Sequence, residues 1–257
     1  GGKTYTCQLI EYLQKRYKKP EIYLLVGTDC LNDVHNWKNP EIIFNNAVVV
    51  AGKRKGYDEN PAAFKHIFLP GFFPKLSSSR VRAHILACGE IPNTVPAAVR
   101  PLIEQHQLYG LSIHAWLKSH LKTNRYIHSK SVAELAAVLS DIYNVNVESA
   151  VKCGILHDAG KSMSGEQLIR FCKEHKIKAP FFESICAQEP SLLHSYVSRW
   201  LARNVFNVKD KDILNAIAEH TLGSLRMSTL SKILCVADIS SKARKYKDAF
   251  VIRNMAL

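Results

Sequence analysis

The 257-residue chain is 47% hydrophobic and 22% charged, and 35 Lys and Arg against 22 Asp and Glu give it a net charge of +13. This length suits one large domain or two ordinary ones, and the apolar fraction is that of a globular protein with a core. The longest apolar runs, such as Ala47–Ala51 and Ile233–Ala237, are too short to span a bilayer, and residues 1–4 lack a secretory-signal pattern. We therefore expect a soluble, cytoplasmic protein with no membrane partner.

The first part of the chain alternates between two hydrophobic patterns. Short apolar runs predict three strands, at residues 21–26, 46–51 and 66–69. Helical spacing predicts three helices, at residues 7–17, 39–44 and 77–88. The first two strands have the continuous apolar character of buried parallel strands. We therefore expect an α/β domain with a parallel sheet over residues 1–110.

From Leu111 onward the chain shows helical spacing only. Six segments have it: residues 131–143, 147–157, 164–175, 192–205, 209–220 and 229–245. No Gly/Ser linker separates the two patterns. We expect an all-α domain over residues 111–257, with a boundary near residue 110.

The charge and the cysteines limit the partners and the type of site. Residues 1–110 hold 14 Lys and Arg against 9 Asp and Glu, and the rest of the chain holds 21 against 13. The excess is therefore spread along the chain, and a nucleic acid, a highly charged nucleotide and a solvated surface all fit it. The seven cysteines form no C-x-x-C pair, which gives no sign of a zinc ribbon or a redox pair and fits a reducing cytosol. We expect most of them in the core.

Histidine and aspartate residues form a constellation in the second half. Each lies in or at the end of a predicted helix beside an apolar stretch: His128, His157, Asp158, His194, His220 and Asp238. Titratable groups at core-facing positions need compensation, and metal coordination is one way to provide it. Imidazole and carboxylate without thiolate suit Fe, Mn, Co or Zn. Because Asp158 directly follows His157, it can bind the same ion and bridge to a second, and two ions can clamp both oxygens of a phosphoryl transfer.

This constellation resembles the YqeK-like branch of the HD superfamily over about residues 111–250. Besides the order H…HD…H…H…D, the chain has ILHDAGK at 155–161, AIAEHTLG at 216–223 and VAD at 236–238. The piece formed by His220, Thr221, Gly223 and Met227 separates this branch from other HD proteins. The resemblance implies an all-α HD-domain helical bundle and a symmetrical bis(5′-nucleosyl)-tetraphosphatase, which cuts diadenosine tetraphosphate into two ADP.

The same resemblance implies a ligand set. One ion would be held by His128, His157, Asp158 and Asp238. The second would be bridged by Asp158 and completed by His194 and His220. The implied metal is iron. Lys161 would contact a phosphate oxygen and stabilise charge on the transferring group. Arg125, Arg226 and Arg244 are weaker candidates for phosphate contacts, and a solvated surface is the alternative for each.

Three features of the first half suit a nucleotide. Asp29 follows a predicted strand and a glycine, where it could receive a hydroxyl or an amine. The run Ser77–Arg82 enters a helix, so that hydroxyls, amides and guanidinium groups could hold phosphates, although an ordinary helix cap is the alternative. Trp37 could stack on a ring or simply pack in the core. None of these features is decisive alone.

Together they resemble nicotinate-mononucleotide adenylyltransferases over about residues 3–109. The shared pieces are Thr4-Tyr5-Thr6, Val26–Asp29, Trp37, Arg54-x-Gly56-Tyr57, the serine cluster with Arg82, and Val95-Pro96 with Leu108-Tyr109. The resemblance implies that Ser78, Ser79 and Arg82 meet ATP phosphates, that Asp29 lies near the adenosine, and that Tyr5, Thr6 and Trp37 face the nicotinate. The family's opening loop, Gly-Gly-x-Phe-Asp-Pro, and its H-x-G-H motif do not occur in the chain. We therefore expect an incomplete Rossmann-like domain, from a longer fusion protein or degenerate, without adenylyl transfer.

Three functions stay open at this stage. The first is hydrolysis of a dinucleoside polyphosphate, with ADP as product. The second is nicotinate adenylyl transfer from ATP and nicotinate mononucleotide by a full-length fusion. The third is a regulatory HD domain that binds a nucleotide without cleaving it. A nucleic-acid partner is disfavoured because no known motif is present and the charge is not concentrated on an aromatic-rich segment. The sequence leaves a homodimer open.

Overall fold

The computed structural model describes residues 4–53, 64–71 and 76–257. The chain divides into two compact units, Gly1–Leu76 and Ser77–Leu257. In the described part of the chain, no helix has both the length and the apolar character needed to cross a membrane. All seven cysteines are free thiols; Cys7, Cys153 and Cys172 are buried, and Cys30 is exposed.

The first unit contains a three-stranded parallel sheet and short helices. In chain order its elements are α1 (Thr6–Arg16), β1 (Tyr23–Gly27), α2 (Thr28–Asn32), α3 (Pro40–Asn46), β2 (Val48–Gly52) and β3 (Ile67–Leu69). The strand order is β1-β2-β3, with Leu24 beside Val49 and Val50 beside Ile67. The predicted α/β character and the parallel sheet are confirmed. The Rossmann-like assignment stays a prediction.

The predicted burial of β1 is wrong. Tyr23 and Leu25 are 52% and 70% exposed, although both belong to an apolar run. Successive side chains of a strand point to opposite faces of the sheet. In β2, Val49 and Ala51 are fully buried and pack in a core with residues of α1, α2 and α3. An apolar run alone therefore did not reveal that β1 buries neither face fully.

The second unit is helical, as predicted. Its helices are α4 (Ser78–Cys88), α5 (Arg100–Gln105), α6 (Leu111–His120), α7 (Thr123–Ile142), α8 (Val147–Leu156), α9 (Gly165–Glu174), α10 (Phe182–Gln188), α11 (His194–Asn204), α12 (Lys211–Glu219), α13 (Thr229–Ser240) and α14 (Lys247–Ala256). The sequence predicts no helix at α5, α6, α10 or α14. It also predicts that α7 begins near residue 131, whereas α7 begins at Thr123 and includes His128.

Along the chain, the boundary between the two compact units lies between Leu76 and Ser77, whereas the sequence pattern predicts a boundary near residue 110. Helix α4, which the sequence pattern assigns to the N-terminal part, packs in the second unit: Leu86 and Ala87 share a core with Val132 and Ala133 of α7. Apolar residues of α4 pack against residues some 45 positions later in the chain. The local periodicity of a sequence cannot predict such a contact. The assignment of residues 1–110 to an adenylyltransferase-like domain and of residues 111–257 to an HD-type domain stays a prediction.

Helix α8 lies at the centre of the second unit. Val151, Cys153, Ile155 and Leu156 are fully buried. Gly154 allows α8 to approach α7 closely, because a Cβ at this position would lie 2.6 Å from the Cα of Ala133. This close packing brings the end of α8 towards the helix that contains His128.

Candidate metal centre

The structure brings all six predicted ligands together from five separate parts of the second unit. His128 lies within α7 and Asp238 within α13. The other four lie at helix ends: His157 and Asp158 just beyond α8, His194 at the start of α11, and His220 just beyond α12. His157 is fully buried, Asp158, His194, His128 and His220 are buried, and the side chain of Asp238 is 15% exposed.

One oxygen of Asp158 faces a first group of residues. Its Oδ2 lies 3.4 Å from His157 Nε2 and 3.9 Å from His128 Nε2. Asp238 Oδ1 lies 2.8 Å from His128 Nε2 and 3.6 Å from His157 Nε2. Ligand atoms of His128, His157 and Asp158, and of His157, His220 and Asp238, lie within 4.8 Å of one another, as a common ion requires.

The other oxygen of Asp158 faces a second group. Its Oδ1 lies 3.2 Å from His194 Nε2 and 3.9 Å from His220 Nε2. Ligand atoms of Asp158, His194 and His220 also lie within 4.8 Å of one another. The two oxygens of one carboxylate therefore point to two sets of imidazoles, which is the geometry that a bridging ligand needs.

Backbone contacts set the orientation of three imidazoles. The Nδ1 atoms of His157, His194 and His220 lie 2.7, 2.6 and 2.7 Å from the carbonyl oxygens of Gly154, Ser191 and Ile217. A carbonyl only accepts, so each Nδ1 donates, and in the neutral ring Nε2 then presents a lone pair to the centre. A metal-ligating histidine typically donates its other ring N–H in this way.

Two observations test whether a cation fits. The Nε2 atoms of His194 and His220 face each other at 3.1 Å, and two lone pairs at that distance repel unless a positive charge lies between them. His157 Nε2 is buried and has no hydrogen-bond partner within the described residues. The donor set is imidazole and carboxylate, as suits a transition metal. The residues present therefore fit a metal ion.

The pKa values reflect the same concentration of charge. Burial lowers the pKa of His157, but the carboxylates of Asp158 and Asp238 outweigh it and raise the pKa to about 10. Burial lowers the pKa of His220 to about 3, and the nearby imidazoles of His157 and His194 add to the effect. Burial raises the pKa of the Asp158 carboxyl, but His157 and His194 hold it well below its usual range. A proton and a metal ion are alternative ways to balance these buried carboxylates.

Two arginines contact the ligand carboxylates. Arg125 Nη1 donates to Asp158 Oδ2 at 2.7 Å, and Arg244 Nη2 donates to Asp238 Oδ1 at 2.6 Å. Both guanidinium groups are thus paired with candidate ligand carboxylates, while 36% of the Arg125 side chain and 32% of the Arg244 side chain stay exposed. Arg226 is exposed.

Lys161 lies on a single 3-10 turn, Ala159–Ser162, and not on a continued α-helix. Its backbone N–H donates to the carbonyl of Asp158 at 2.9 Å, which keeps the two residues one turn apart. Burial lowers the pKa of Lys161, and the nearby carboxylate of Asp158 opposes this. Among the described residues, no carboxylate forms an ion pair with Lys161 within 4 Å.

Two positions next to the ligands have roles that the motif alone did not assign. The Thr221 hydroxyl lies 3.1 Å from His220 Nε2 and 3.3 Å from His194 Nε2, between the two imidazoles. A Cβ at Gly160 would lie 2.5 Å from the carbonyl oxygen of His194. The glycine of the HDAGK segment thus allows this turn to lie directly against the start of α11.

Replacing Gly160 with Ala is expected to displace His194 and weaken metal binding. Because the clash is with backbone, α11 or the turn must shift, and such overpacking costs about 1–3 kcal/mol. Metal titration by calorimetry and thermal unfolding of the metal-free protein measure the two effects separately. Gly165→Ala is the matched control, because its Cβ would meet only the Pro190 side chain, at 3.0 Å. Unchanged metal affinity in Gly160→Ala would contradict the role given to this glycine.

The predicted nucleotide residues of the first half fall in both units. In the first unit, Tyr5, Thr6 and Trp37 line one cavity of about 400 Å³, and Trp37 also stacks on Phe44 with ring centroids 6.0 Å apart. Asp29 lies in the first turn of α2. The segment Arg54–Tyr57, which the resemblance includes, lies outside the described residues.

The serine cluster with Arg82 lies at the start of α4, in the second unit. Arg82 Nε donates to Glu148 Oε1 at 3.1 Å, and its Nη2 donates to Ser79 Oγ at 3.1 Å. The Ser77 side chain, at the N-cap, makes no capping hydrogen bond, and Ser78 begins the helix. The guanidinium that was expected to meet phosphates is therefore already paired with a carboxylate 66 positions away.

Comparison with known proteins agrees with the helical site. The HD domain model matches residues 125–243. The Bacillus subtilis protein named "Bis(5'-nucleosyl)-tetraphosphatase, symmetrical" is 30% identical over 142 residues, which cover 55% of this chain and 74% of that protein. The chain belongs to the HD-domain hydrolase family. A crystal structure from Clostridium acetobutylicum is described as that of a "predicted HD superfamily hydrolase involved in NAD metabolism". The match covers 56% of this HD-domain hydrolase and 75% of that chain, with 36% identity and a TM-score of 0.53.

A further relative matches this HD-domain hydrolase along most of its length. The Mycoplasma genitalium protein named "Probable nicotinate-nucleotide adenylyltransferase/Ap4A hydrolase" is 28% identical over 244 residues, or 94% of this chain. The chain spans 66% of that relative's length. Both halves of the chain therefore have similarity to a protein whose name combines the two predicted activities.

Proposed function

We propose that this HD-domain hydrolase cleaves diadenosine tetraphosphate symmetrically into two ADP. The observation that supports this most is the placement of Asp158, whose two carboxylate oxygens face two different groups of histidines. A two-ion site of this kind is suited to phosphoryl transfer, because it can bind both the attacking and the leaving oxygen. The name of the Bacillus subtilis relative supports the choice of substrate.

The proposed ligands divide between two ions. His128, His157, Asp158 and Asp238 would hold the first, and Asp158, His194 and His220 the second. Bound ions would supply Lewis-acid stabilisation of the phosphate and a more acidic water. We propose iron as the metal, and the nitrogen and oxygen donors also suit Mn, Co and Zn.

Positive side chains around the ligands would position the substrate. Each guanidinium has five N–H donors, and the contacts of Arg125 and Arg244 with Asp158 and Asp238 use only some of them. The remaining donors could bind phosphate oxygens and offset the repulsion between the substrate and an attacking water. Lys161 would bind an oxygen of the phosphoryl group that is attacked. Cleavage would add water across the central P–O–P linkage. The water oxygen would bond to one inner phosphorus, the bridging oxygen would leave with the other half of the substrate, and the two protons of the water would be released as the two ADP products ionise.

The direct test is a product analysis. Protein loaded in turn with Fe, Mn, Co or Zn is incubated with diadenosine tetraphosphate, and the nucleotides are separated by anion exchange. Two ADP per substrate are expected. ATP plus AMP would contradict symmetrical cleavage. Binding of the substrate without any product would favour the regulatory function instead.

Removing His194 is expected to affect the second ion more than the first. His194→Ala should lower the bound metal by about half, because this residue faces only Asp158 Oδ1 and His220 among the ligands. His128→Ala is the matched comparison, because its Nε2 contacts Asp238 and lies 3.9 Å from Asp158 Oδ2. Metal content by elemental analysis and two-step calorimetric titration distinguish the two losses. Equal loss of both ions in both variants would contradict the proposed division.

Adenylyl transfer is a second candidate for the protein to which this chain is similar. The cavity lined by Tyr5, Thr6 and Trp37 supports it, since the resemblance expects these side chains to face nicotinate. We expect no dinucleotide from ATP and nicotinate mononucleotide with this chain, because the H-x-G-H motif is not in it. Detection of that dinucleotide by chromatography would overturn the expectation.

A further inference from the structure

A second charged surface lies on the helical unit. Two cavities, of about 400 and 430 Å³, share Arg199, Arg203 and Asn204 of α11 as lining residues. Six cationic side chains line them together: Lys176, Lys178, Arg199, Arg203, Lys209 and Lys211. Among the described lining residues there is no Asp or Glu. We call this surface the basic groove, and it includes none of the six proposed metal ligands.

The fold assembles the basic groove from three segments. Helices α9 and α11 each end in a tight turn that contains a left-handed residue, Lys176 with φ 51° and Asn207 with φ 54°. Ile177 N donates to Cys172 O, and Val208 N donates to Ala202 O, both at 2.9 Å. These turns reverse the chain, so that the residues after each helix line cavities beside α11.

The charge of the basic groove is not balanced within the protein. None of its six cations has an ion pair within 4 Å in the part of the chain that the structure describes. Arg199 and Arg203 are exposed and stand four positions apart on α11, where like charges destabilise a helix. The neighbouring Asp210 is used as the N-cap of α12, accepting from the amides of Asp212 and Ile213. A cation at the C-terminal end of α11 interacts favourably with the helix dipole. This explains the position of Arg203 but not the positions of the other five cationic side chains.

Aromatic rings lie at one end of the basic groove. Trp200 and His175 both line the first cavity, with ring centroids 4.3 Å apart. Phe171 packs edge-on against Trp200 at 5.0 Å, which supports the indole from within the protein. Asn204, Asn207 and Asn215 add amide groups to the lining.

We propose that the basic groove binds a single-stranded nucleic acid. This revises the expectation from the sequence, because the fold brings cations of three segments together beside Trp200. Two adjoining cavities with six cations suit an extended anion better than a single phosphate group. Arg199 and Arg203 lie about 6 Å apart along one face of α11, where they would contact neighbouring phosphates. Trp200 and His175 provide ring faces on which an unpaired base stacks, and base stacking on aromatic side chains is a common feature of single-strand binding.

The test is an anisotropy titration of the full chain with a fluorescein-labelled oligouridylate at several salt concentrations. We expect the logarithm of the association constant to fall with the logarithm of salt by about 0.7 for each phosphate contacted. The double variant Arg199→Gln/Arg203→Gln should bind roughly tenfold or more weakly and lower the salt slope by about 1 to 2. Lys232→Gln/Lys247→Gln removes the same charge from exposed positions outside the basic groove, and its affinity should equal that of the parent.

The stacking part of the proposal has its own test. Trp200→Leu should weaken binding of the oligouridylate about fivefold or more, whereas Trp200→Phe should keep most of the affinity because it keeps a ring. Thermal unfolding of both variants verifies that they fold. Hydrolysis of diadenosine tetraphosphate should be unchanged in the arginine double variant. Equal loss of affinity in the Lys232/Lys247 control would overturn the proposal. A second result would also overturn it: inorganic polyphosphate displaces the oligouridylate, and Trp200→Leu has no effect on binding. The surface would then be a polyphosphate site.

Discussion

Asp158→Asn is expected to lower hydrolysis of diadenosine tetraphosphate by at least about 10³-fold, because the loss of a bridging charge removes several kcal/mol of stabilisation at the reacting phosphorus. The asparagine keeps the shape of the side chain, but it offers one oxygen and no negative charge to the two groups of imidazoles. Bound metal should fall as well, because Asp158 is the only residue whose oxygens face both His157 and His194 at 3.4 and 3.2 Å in the described part of the site.

The matched control for this variant is Asp248→Asn, the same change at an exposed position of α14. Elemental analysis, steady-state kinetics and thermal unfolding of both variants separate a loss of metal from a loss of fold. Full activity in Asp158→Asn would remove this residue from the mechanism. A large loss of activity with normal metal content would assign Asp158 to substrate binding instead.

Chelation of the metal is expected to abolish hydrolysis and to destabilise the helical unit. A ligand that binds only the folded state stabilises it by about 2.7 kcal/mol when its free concentration is a hundred times its Kd. The buried carboxylates and the facing imidazoles of His194 and His220 provide the reason, since a bound cation would offset repulsion that protons must otherwise balance. Differential scanning calorimetry before and after chelation measures the effect.

Adding metal back to the chelated protein is expected to reverse the loss of activity and stability. Metal affinity should fall as the pH drops below about 10, because protons then compete with the ion for His157, whose pKa the carboxylates of Asp158 and Asp238 raise. Competition at His220 should begin only near pH 3, because burial lowers its pKa to about that value. Fe, Mn, Co or Zn should restore activity and thermal stability together, and the order of their effects identifies the preferred ion. Asp158→Asn, treated in the same way, should show little metal-dependent stabilisation. Full activity after complete removal of metal would contradict the proposed mechanism.

The six candidate ligand residues could be predicted from the sequence because each lies in a local pattern. A histidine or an aspartate beside an apolar stretch of a helix is placed near the core by helical periodicity, and His157 and Asp158 are adjacent in the chain. The distances between ligands had no such local signal. His128 and Asp238 lie 110 positions apart, and only the packing of α7, α8 and α13 brings their side chains to 2.8 Å.

Other interactions could not be predicted from the sequence, because they too join residues far apart in the chain. Arg82 resembles a phosphate-binding residue by its serine neighbours, yet it pairs with Glu148 of α8, 66 positions away. From the sequence, Arg125 is a weaker candidate with a solvated surface as the alternative, and its contact with Asp158 depends on the start of α7 lying beside the end of α8. Charge pairs of this type depend on tertiary contacts and leave no period in the sequence.

The sequence by itself determined the α/β start, the helical remainder and the six residues of the candidate metal centre, because hydrophobic period and motif order are local properties. Only the tertiary structure decided that α4 packs with the helical unit, that β1 exposes Tyr23 and Leu25, and that the two oxygens of Asp158 face different histidines. It also decided that lysines and arginines of three segments line one basic groove. Each of these depends on contacts between residues far apart in the chain, which are set when helices pack and not by any single segment.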